Sequence, residues 1–328
     1  MRGKLKIFAC RAGEVFANRI VTELNKINSE VIGLAKYKVE EFSDGELKTT
    51  VLDNVRGCDV FLVQNLVNKV RMFDVNTNIM ETLIFIDALK RAKPKHITLV
   101  IPYFAYARQD KPREQEPVSS ALMAKLITTA GVDEVLTMDL HNDAIIGSFD
   151  PNKATIDNLY PAAFKEYFRD RVDVFAATDA GGAPKAAHYA KHLGKSMAIG
   201  YKERDYSTTD VVKKLMMIGD VADKNVAIID DIISTGGSMK NCAEELKKTG
   251  AKDIYMACSH PIFVGKAEKI FSEIYSKGII KEVIGTDSII QPKEFFEKNP
   301  WFRQISVADV FAKAILDIHK EGKVSSFI

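Results

Sequence analysis

The sequence predicts an α/β fold in two tandem domains, each a mainly parallel sheet flanked by helices. Three observations support this prediction. With 328 residues, the chain is long enough for two domains with separate cores. Short apolar runs of strand length are followed by stretches whose apolar residues recur at helical spacing. The order of strand, polar loop and helix occurs in both halves, although we find no residue-level repeat.

The composition narrows the class of protein. Its 46% hydrophobic and 27% charged residues are normal for a soluble globular protein, and no apolar stretch is long enough to span a bilayer. The 46 basic and 44 acidic residues nearly cancel, which argues against a dedicated surface for nucleic acid or membrane. We expect buried free thiols and a reducing cytoplasm, because the cysteines are widely spaced and form no Cys-x-x-Cys pair. They are Cys10, Cys58, Cys242 and Cys258.

The chain opens with an apolar strand over 4–10 and a helix over 16–27, whose apolar residues recur every three or four positions. Strands at 34–41 and 47–52 then flank an Asp-Gly turn, which favours a hairpin. Phe42 lies at the hairpin tip, where an aromatic residue either packs back on its own core or is presented to something else. From the residues alone, we expect packing.

A buried strand at 59–64 precedes a polar, irregular segment over 65–76 and a helix over 79–92. The next strand, 96–101, leads into a loop over 102–113 that mixes aromatic, cationic and amide side chains. Such a mixture suits a nucleotide, because rings or guanidinium planes bind a base and positive charges bind phosphates. The alternative is an exposed basic loop with a few packed aromatic residues.

The first half ends with a helix over 118–130 and a strand over 134–138 that delivers Asp139-Leu140-His141. His141 could be a metal ligand, a base or a helix cap, and a lone histidine is more often structural than catalytic. The stretch 149–161 carries two prolines and little periodicity. We therefore place the crossing between domains there.

The second half repeats the plan. A strand over 172–177 delivers the acidic, glycine-rich loop 178–182, and a helix follows as far as Leu193. A strand over 196–201 leads to Lys202 and Arg204, whose alternate positions point the same way if the strand continues. Further strands are predicted at 215–218, 226–229, 252–258 and 282–284, and a last helix at 307–319.

The loop after the strand at Val226 carries the strongest chemical signal. Asp230 and Asp231 end an apolar strand, and a turn over 234–238 with the sequence Ser-Thr-Gly-Gly-Ser leads into a helix. Glycine N–H groups, hydroxyl donors and the helix dipole together make a phosphate cradle. The carboxylates suit sugar hydroxyls or a hydrated divalent metal, so a sugar phosphate fits both parts. The alternative is a surface turn whose aspartates cap the helix.

This acidic pair and its glycine turn resemble the ribose-phosphate binding motif of the phosphoribosyltransferase-type fold. Over nearly its whole length, the chain resembles the ribose-phosphate pyrophosphokinases, also called phosphoribosyl pyrophosphate synthetases. One motif alone is a weak signal, whereas seven in the same order are a strong one. The seven motifs lie at 42–46, 106–111, 139–141, 157–160, 179–182, 202–204 and 230–238.

The resemblance implies two phosphoribosyltransferase-type domains. The first, 1–154, would lie on the ATP side and be completed by a C-terminal helix over 306–328. The second, 155–305, would lie on the ribose 5-phosphate side. The implied reaction transfers the β,γ-diphosphoryl group of ATP to the C1 hydroxyl of ribose 5-phosphate, which yields phosphoribosyl pyrophosphate and AMP.

The resemblance also implies how ATP is bound. Arg108 and Gln109 would hold the nucleotide, while Phe42, Asp44 and Glu46 would reach its adenine from a neighbouring subunit. A shared site of this kind requires at least a dimer, and hexamers are common in the family. The implied partners are therefore ATP, ribose 5-phosphate and further copies of the chain.

The remaining implied roles concern the metal, the transferred group and the sugar. His141 and Asp179 would bind Mg²⁺ that bridges the ATP phosphates, and Lys202 and Arg204 on a mobile loop would stabilise charge during transfer. The residues implied for ribose 5-phosphate are Asp230 and Asp231 at the hydroxyls and Ser234, Thr235, Gly236, Gly237 and Ser238 at the 5-phosphate.

Three features depart from the family pattern. Ser234 stands where many members carry an acidic residue, the segment 65–76 is longer and more basic than usual, and 152–155 looks like a small insertion. Regulatory contacts in the family lie at subunit interfaces near such segments. The resemblance therefore leaves both alternatives open, with and without activation by phosphate and inhibition by ADP.

Two other functions compete with this one. A phosphoribosyltransferase would share the Asp230 turn, but it would not need Phe42, the Arg108-Gln109 loop or a second domain of the same plan. A non-catalytic regulatory subunit of the same fold would be expected to lose the metal and loop residues. His141, Asp179, Lys202 and Arg204 all remain in this chain.

Overall fold

The computed structural model describes residues 2–70, 73–112, 114–204 and 212–324, with the backbone alone described at 202–204 and 212–215. The chain forms two compact units, each α/β. The first unit comprises Met1–Tyr160, Ser288–Gln291 and Ser306–Ile328, and the second comprises Pro161–Asp287 and Pro292–Ile305.

The elements of the first unit are numbered here along the whole chain. Its strands are β1 (Leu5–Ala9), β2 (Tyr37–Glu41), β3 (Leu47–Val51), β4 (Asp59–Val63), β5 (His96–Val100), β6 (Glu134–Met138) and β7 (Thr155–Leu159). Its helices are α1 (Glu14–Ile27), α2 (Val75–Ala92), α3 (Ser119–Ala130), a short 3₁₀ helix (Asp143–Ser148) and the C-terminal α9 (Ala308–His319).

The sheet of the first unit has five parallel strands in the order β1-β4-β5-β6-β7, and β2 and β3 form a separate antiparallel hairpin. Helices α1 and α9 pack on one face, where Phe16 and Phe311 meet edge to face at 5.4 Å. Helix α2 packs on the other face, where Phe85 meets Phe8. Both faces of this parallel sheet are thus covered by helices, as its apolar strands require.

Two details of the first unit differ from the sequence prediction. β7 lies inside the stretch predicted as a crossing of little periodicity, and it pairs with β6 with Met138 opposite Leu159. This edge strand is short and fewer than half of its residues are apolar, so the alternation of apolar and polar residues that would predict a strand is weak. The predicted boundary at 154/155 thus precedes a strand of the first unit. Helix α2 begins at Val75 rather than at residue 79, because Asp74 caps a polar first turn.

The second unit contains the remaining elements. Its strands are β8 (Val174–Ala177), β9 (Ser196–Arg204), β10 (Val212–Ile218), β11 (Val226–Ile233), β12 (Ile254–Pro261), β13 (Glu282–Thr286) and β14 (Phe302–Ile305). Its helices are α4 (Ala163–Phe168), α5 (Ala183–Leu193), α6 (Gly237–Lys248), α7 (Ala267–Ser276) and α8 (Lys293–Lys298).

The second sheet has seven strands in the order β10-β9-β8-β11-β12-β13-β14. All neighbours are parallel except β10, which runs antiparallel to β9 at the edge. Helices α4 and α5 pack on one face around Phe168 and Phe175, and α6 and α7 pack on the other around Met256 and Phe271. The predicted fold class, a mainly parallel sheet flanked by helices in each half, is confirmed.

All four cysteines are free and buried, as the sequence predicted. Burial raises the pKa of the Cys10 thiol well above its ordinary value, so this thiol stays protonated at neutral pH. None of the helices in the described ranges combines the length and the apolar character needed to cross a bilayer.

Candidate active site

The acidic pair lies at the carboxyl end of β11, in the middle of the second sheet. Strand β11 pairs with β12 so that Asp230 lies opposite Cys258. The backbone N–H of Asp231 donates to Oδ1 of Asp230 at 2.9 Å, and the Asp231 residue is only 5% exposed. Successive residues of a strand point to opposite faces of the sheet. The two carboxylates therefore lie on opposite faces near the end of β11 and not side by side on one face.

The pair lies at a switch point of the sheet. Neighbouring strands β8 and β11 lead to helices α5 and α6, which pack on opposite faces of the sheet. A crevice opens at the carboxyl ends of two strands whose helices diverge in this way, and open α/β sheets bind their ligands in such crevices. Asp179 and Asp230 therefore lie where sheets of this kind bind their ligands.

Electrostatics at this position favour a partner that donates hydrogen bonds or carries positive charge. Burial and the adjacent Asp231 carboxylate raise the pKa of Asp230 well above its ordinary value. The ammonium of Lys185 opposes this shift, since its Nζ lies 3.8 Å from Oδ1 of Asp231. Sugar hydroxyls are suitable ligands because they donate hydrogen bonds to both carboxylates.

The turn after the acidic pair is shaped for an anion. Gly236 has a φ of 81°, and a Cβ there would lie 2.8 Å from the ring of Phe271. Ser234 is anchored through its carbonyl, which accepts from the N–H of Val264 at 3.0 Å. Helix α6 starts without a side-chain cap, so the N–H groups of its first turn, with exposed Thr235 and Ser238, can donate to a phosphate.

The Asp179 side chain accepts hydrogen bonds from the backbone of the glycines that follow it in the same loop. Oδ1 of Asp179 accepts from the N–H groups of Gly181 and Gly182 at 3.1 and 3.3 Å. Helix α5 then begins without a side-chain cap, in the same manner as α6. The same device, an acidic strand end followed by a glycine loop and an uncapped helix, thus occurs on two neighbouring strands.

Sequence reasoning missed Lys185, which lies in the first turn of α5. A signal was present, because a cation near the positive end of a helix dipole is unfavourable without a nearby anion. The structure supplies that anion as Asp231. The sequence could not identify Asp231 as the partner of Lys185, because that depends on the order of the strands and on the face of the sheet that α5 covers.

In the first unit, the loop after β5 presents Arg108 and Gln109 at the surface. Tyr106 adopts a φ of 64°, and its carbonyl accepts from the N–H of Gln109 at 3.0 Å. The carbonyl of Gln109 accepts from the N–H and hydroxyl of Ser120 at 3.2 and 3.1 Å, at the start of α3. The backbone is therefore fixed, whereas both side chains are exposed.

His141 follows β6 on a neighbouring loop. The N–H of Leu140 donates to Oδ1 of Asn158 at 3.1 Å, and Nδ2 of Asn142 donates to Oδ2 of Asp110. His141 itself is exposed between these two anchored residues. The hydrogen bond from Asn142 brings the His141 loop against the loop of Arg108 and Gln109, so these three residues lie on adjacent loops after β5 and β6.

The hairpin carries Phe42, Asp44 and Glu46 at its tip, and all three are exposed. The N–H of Glu46 donates to Oδ1 of Asp44 at 3.1 Å, and Gly45 has a φ of 90° as the turn requires. Phe42 is 51% exposed, so the expectation that it packs on its own core is wrong. A hairpin tip projects beyond its strands and offers no core surface within reach of the ring.

The other predicted residues are placed as follows. Lys202 and Arg204 end β9, but their side chains lie outside the part of the chain that the structure describes, and so does the segment 205–211. His141 belongs to the first unit and Asp179 to the second. Their joint role at a metal stays a prediction.

Two models of known protein families match the chain. The model described as the N-terminal domain of ribose phosphate pyrophosphokinase matches residues 5–131, and that of the phosphoribosyl transferase domain matches 151–295. Among curated proteins, the ribose-phosphate pyrophosphokinase of Corynebacterium ammoniagenes is 37% identical, covering 99% of this chain and 97% of its own. That of Campylobacter jejuni is 38% identical and covers 99% of both chains.

A solved structure is similar over the same span. The phosphoribosylpyrophosphate synthetase of Mycobacterium smegmatis matches with a TM-score of 0.83 and 30% identity, covering 97% of this chain and all of that one. The two domains are therefore of the phosphoribosyltransferase type. From its family models, its full-length relatives and its fold, the chain belongs to the ribose-phosphate pyrophosphokinase family.

Proposed function

We propose that the chain transfers the β,γ-diphosphoryl group of ATP to the C1 hydroxyl of ribose 5-phosphate. The observation that carries this proposal is the acidic pair at the switch point of the second sheet, followed directly by an uncapped glycine turn, in a chain of this family. One such position offers acceptors for ribose hydroxyls and donors for a phosphate. Both ends of ribose 5-phosphate are thereby recognised.

The reaction displaces AMP at the β-phosphorus. The C1 oxygen of ribose 5-phosphate attacks that atom, and the bond between it and the oxygen bridging to the α-phosphorus breaks. AMP leaves with the bridging oxygen, and the C1 hydroxyl proton is released. Phosphoryl transfer asks the protein chiefly for positioning and charge stabilisation.

Binding residues divide between the two units. Asp230 and Asp231 accept from the ribose hydroxyls, and residues 234–238 hold the 5-phosphate. Arg108 pairs with the ATP phosphates, and the Gln109 amide adds a hydrogen bond to the nucleotide. Lys202 and Arg204 stabilise charge on the transferred group and on departing AMP.

We assign Mg²⁺ as the metal, with His141 and Asp179 as its protein contacts. When bound, Mg²⁺ neutralises charge on the phosphates of ATP. The donor set supports this assignment, because Mg²⁺ takes one or two protein ligands and fills its other positions with phosphate oxygens and water. Within the described ranges, no three His, Cys, Asp or Glu side chains group into a metal site of their own. His141 is the less usual ligand, since imidazole suits softer metals.

The ATP site is completed by a second copy of the chain. Phe42, Asp44 and Glu46 are exposed on a projecting hairpin, which suits contact with an adenine held by a neighbouring subunit. The assembly is a homo-oligomer, with a hexamer favoured by the family, and it acts in the cytoplasm.

The test is the fate of both transferred phosphorus atoms. Chain, Mg²⁺, ribose 5-phosphate and ATP labelled at the γ-phosphorus are incubated, and products are separated. We expect AMP, and a sugar product that carries the label together with an unlabelled β-phosphoryl group. Formation of ADP, together with a sugar that has gained only the labelled phosphoryl group, would indicate an ordinary kinase. Phosphoribosyl pyrophosphate consumption without ATP would indicate a phosphoribosyltransferase, and no turnover a regulatory subunit.

A further inference from the structure

Arg11, in the loop after β1, joins three elements of the first unit. Its backbone N–H donates to Oε1 of Glu81 at 2.8 Å, and its Nε donates to Oε2 of the same residue at 2.9 Å. Its Nη1 donates to Oε2 of Glu41 at 3.0 Å. The guanidinium carbon also lies 4.4 Å from the ring centre of Phe73. Arg11 therefore links the first strand to α2 and to the hairpin.

The contact with Glu81 fixes the direction of the guanidinium. Glu81 lies on α2 and is fully buried, so its carboxylate needs charged or N–H donors on both oxygens. Arg11 supplies one donor to each oxygen. Because the guanidinium is planar and rigid, engaging Nε with Glu81 determines where Nη1 lies.

The contact with Glu41 holds the hairpin near its tip. Glu41 ends β2 and directly precedes Phe42. Among the residues that the structure describes, β2 and β3 form strand pairs only with each other and not with the five-stranded sheet. A two-stranded hairpin is marginal alone, so its orientation depends on side-chain contacts with the body of the unit.

The base of the hairpin is held by different contacts. Nζ of Lys6, on β1, lies 2.9 Å from Oδ2 of Asp53 just after β3. The ring of Tyr37, at the start of β2, lies 4.9 Å from that of Phe85 on α2. These contacts anchor the end of the hairpin away from Phe42, whereas Arg11 acts beside it.

We propose that Arg11 is a positioning residue for the ATP site. Anchored on buried Glu81, it holds Glu41 and so sets the direction in which Phe42, Asp44 and Glu46 are presented to a neighbouring subunit. This inference rests on the proposed role of the hairpin tip in binding adenine. Glu41 is 55% exposed, so its ion pair adds little to stability and acts chiefly on orientation.

The first test substitutes the two partners separately. In Arg11→Lys a single ammonium on a flexible stem can satisfy Glu81, but it cannot also hold Glu41. In Glu41→Ala the acceptor is lost from an exposed position. For both variants we expect the KM for ATP to rise about fivefold, as loss of one exposed ion pair allows. The KM for ribose 5-phosphate and the kcat should stay close to those of the parent chain.

Lys6→Met is the matched control, because it removes a hairpin ion pair at the base. It should leave the KM for ATP unchanged. The double variant Arg11→Lys with Glu41→Ala should raise the KM no further than either single variant, since both remove one contact. In a Phe42→Ala background, both substitutions should raise the KM by a smaller factor, because only the contacts of Asp44 and Glu46 are then left to misplace.

The outcomes separate this inference from the proposed function. If Phe42→Ala raises the KM for ATP while Arg11→Lys and Glu41→Ala do not, Arg11 has no positioning role and the proposed function stands. If Phe42→Ala has no effect, the role of the hairpin fails and the inference falls with it. Equal rises for both substrates would also overturn it. Should Arg11→Lys fail to fold, Glu41→Ala at its exposed position carries the test.

Discussion

Gly236 meets two requirements that other residues cannot. Its φ of 81° lies in the left-handed region, where an L side chain is strained. The space for a Cβ is also taken, because the buried ring of Phe271 would lie 2.8 Å away. This one residue therefore determines the path of the turn on which the phosphate is proposed to bind.

Gly236→Ala should destabilise the second unit and weaken ribose 5-phosphate binding. We expect the left-handed backbone to cost about 1–2 kcal/mol, with a further cost from displacing the Phe271 ring. Urea unfolding measures the stability, and substrate titration should show a raised KM for ribose 5-phosphate with the KM for ATP unchanged. Gly237→Ala is the stability control, since a Cβ at Gly237 meets nothing within 4 Å. Equal stabilities for the two variants would contradict the argument.

Asp157, on edge strand β7, forms a hydrogen-bonded acidic pair with Glu134 on β6. Burial, a hydrogen bond to Glu134 and the charge of that residue raise the pKa of Asp157 to about 7. Arg2, whose Nη1 lies 2.9 Å from Oε2 of Glu134, opposes the shift. The folded chain therefore binds a proton here more tightly than the unfolded chain does.

Asp157→Asn should become more stable than the parent chain as pH rises. The stability that the protonated Asp157 contributes is present below the unfolded pKa of about 4 and is lost as pH rises through about 7. Asparagine keeps a donor for Glu134 but carries no charge. Thermal unfolding at several pH values between 5 and 8 should show the difference in Tm, variant minus parent, growing with pH. A constant or shrinking difference would disprove it.

Asp150→Asn is a suitable control for this pH series. Asp150 is exposed, and the N–H of Asn152 holds its pKa below the ordinary value. Its contribution to stability is therefore complete above the unfolded pKa and is lost only at lower pH. Between pH 5 and 8, the difference in Tm for this variant should stay flat.

At the scale of elements, the start of α2 is determined by one cap. Oδ1 of Asp74 accepts from the N–H groups of Asn76 and Thr77 at 2.8 and 3.1 Å. The polar first turn that follows carries no apolar periodicity, and for this reason apolar spacing alone predicted a later start. Asn76 also accepts from the Tyr106 hydroxyl at 2.7 Å, which ties this helix end to the loop of Arg108.

Asp74→Ala should destabilise the first unit by about 1 kcal/mol, as loss of a helix cap commonly does. Asp74→Ser keeps a cap oxygen and should lose much less. Chemical denaturation of the two variants and the parent chain would measure the difference. If alanine and serine at this position unfold at the same denaturant concentration, the cap does not determine the helix start.

At the scale of the whole molecule, the two units share a plan but use it differently. In each, a pair of neighbouring strands leads to helices on opposite faces, β1 and β4 in the first and β8 and β11 in the second. In the second unit this position carries the acidic pair. In the first unit the loops after β1 and β4 contact each other at this position, since Nδ2 of Asn68 donates to the carbonyl of Ala12 at 2.6 Å.

A shared ATP site predicts that two inactive variants restore each other. Phe42→Ala and Arg108→Ala should each lose most activity alone. At a mixed interface, one site in two would combine Phe42 from one subunit with Arg108 from the other, and that site would be intact. Chains with different tags, produced together and purified through both tags, should regain activity with the parent KM for ATP. Mixed oligomers as inactive as the separate variants would place both residues in one subunit's site.

Local patterns were sufficient for much of this protein. The alternation of apolar runs with helical spacing predicted most strands and helices, and the acidic pair with its glycine turn predicted the ribose 5-phosphate residues together. These signals are readable because strand and helix periods, turn glycines and caps are properties of neighbouring residues. The order of the motifs then indicated the family.

Tertiary structure decided the contacts between distant parts of the chain. The sequence by itself predicted Asp230 and Asp231 near the end of a strand that leads into a glycine turn, but not that Lys185 lies against Asp231. The sequence placed Phe42 on a hairpin but did not predict that its ring is exposed. It also gave no sign that Arg11 joins Glu41 to Glu81. Such contacts depend on strand order and on which face each helix covers, and those are set by burial of the whole apolar surface rather than by any local pattern.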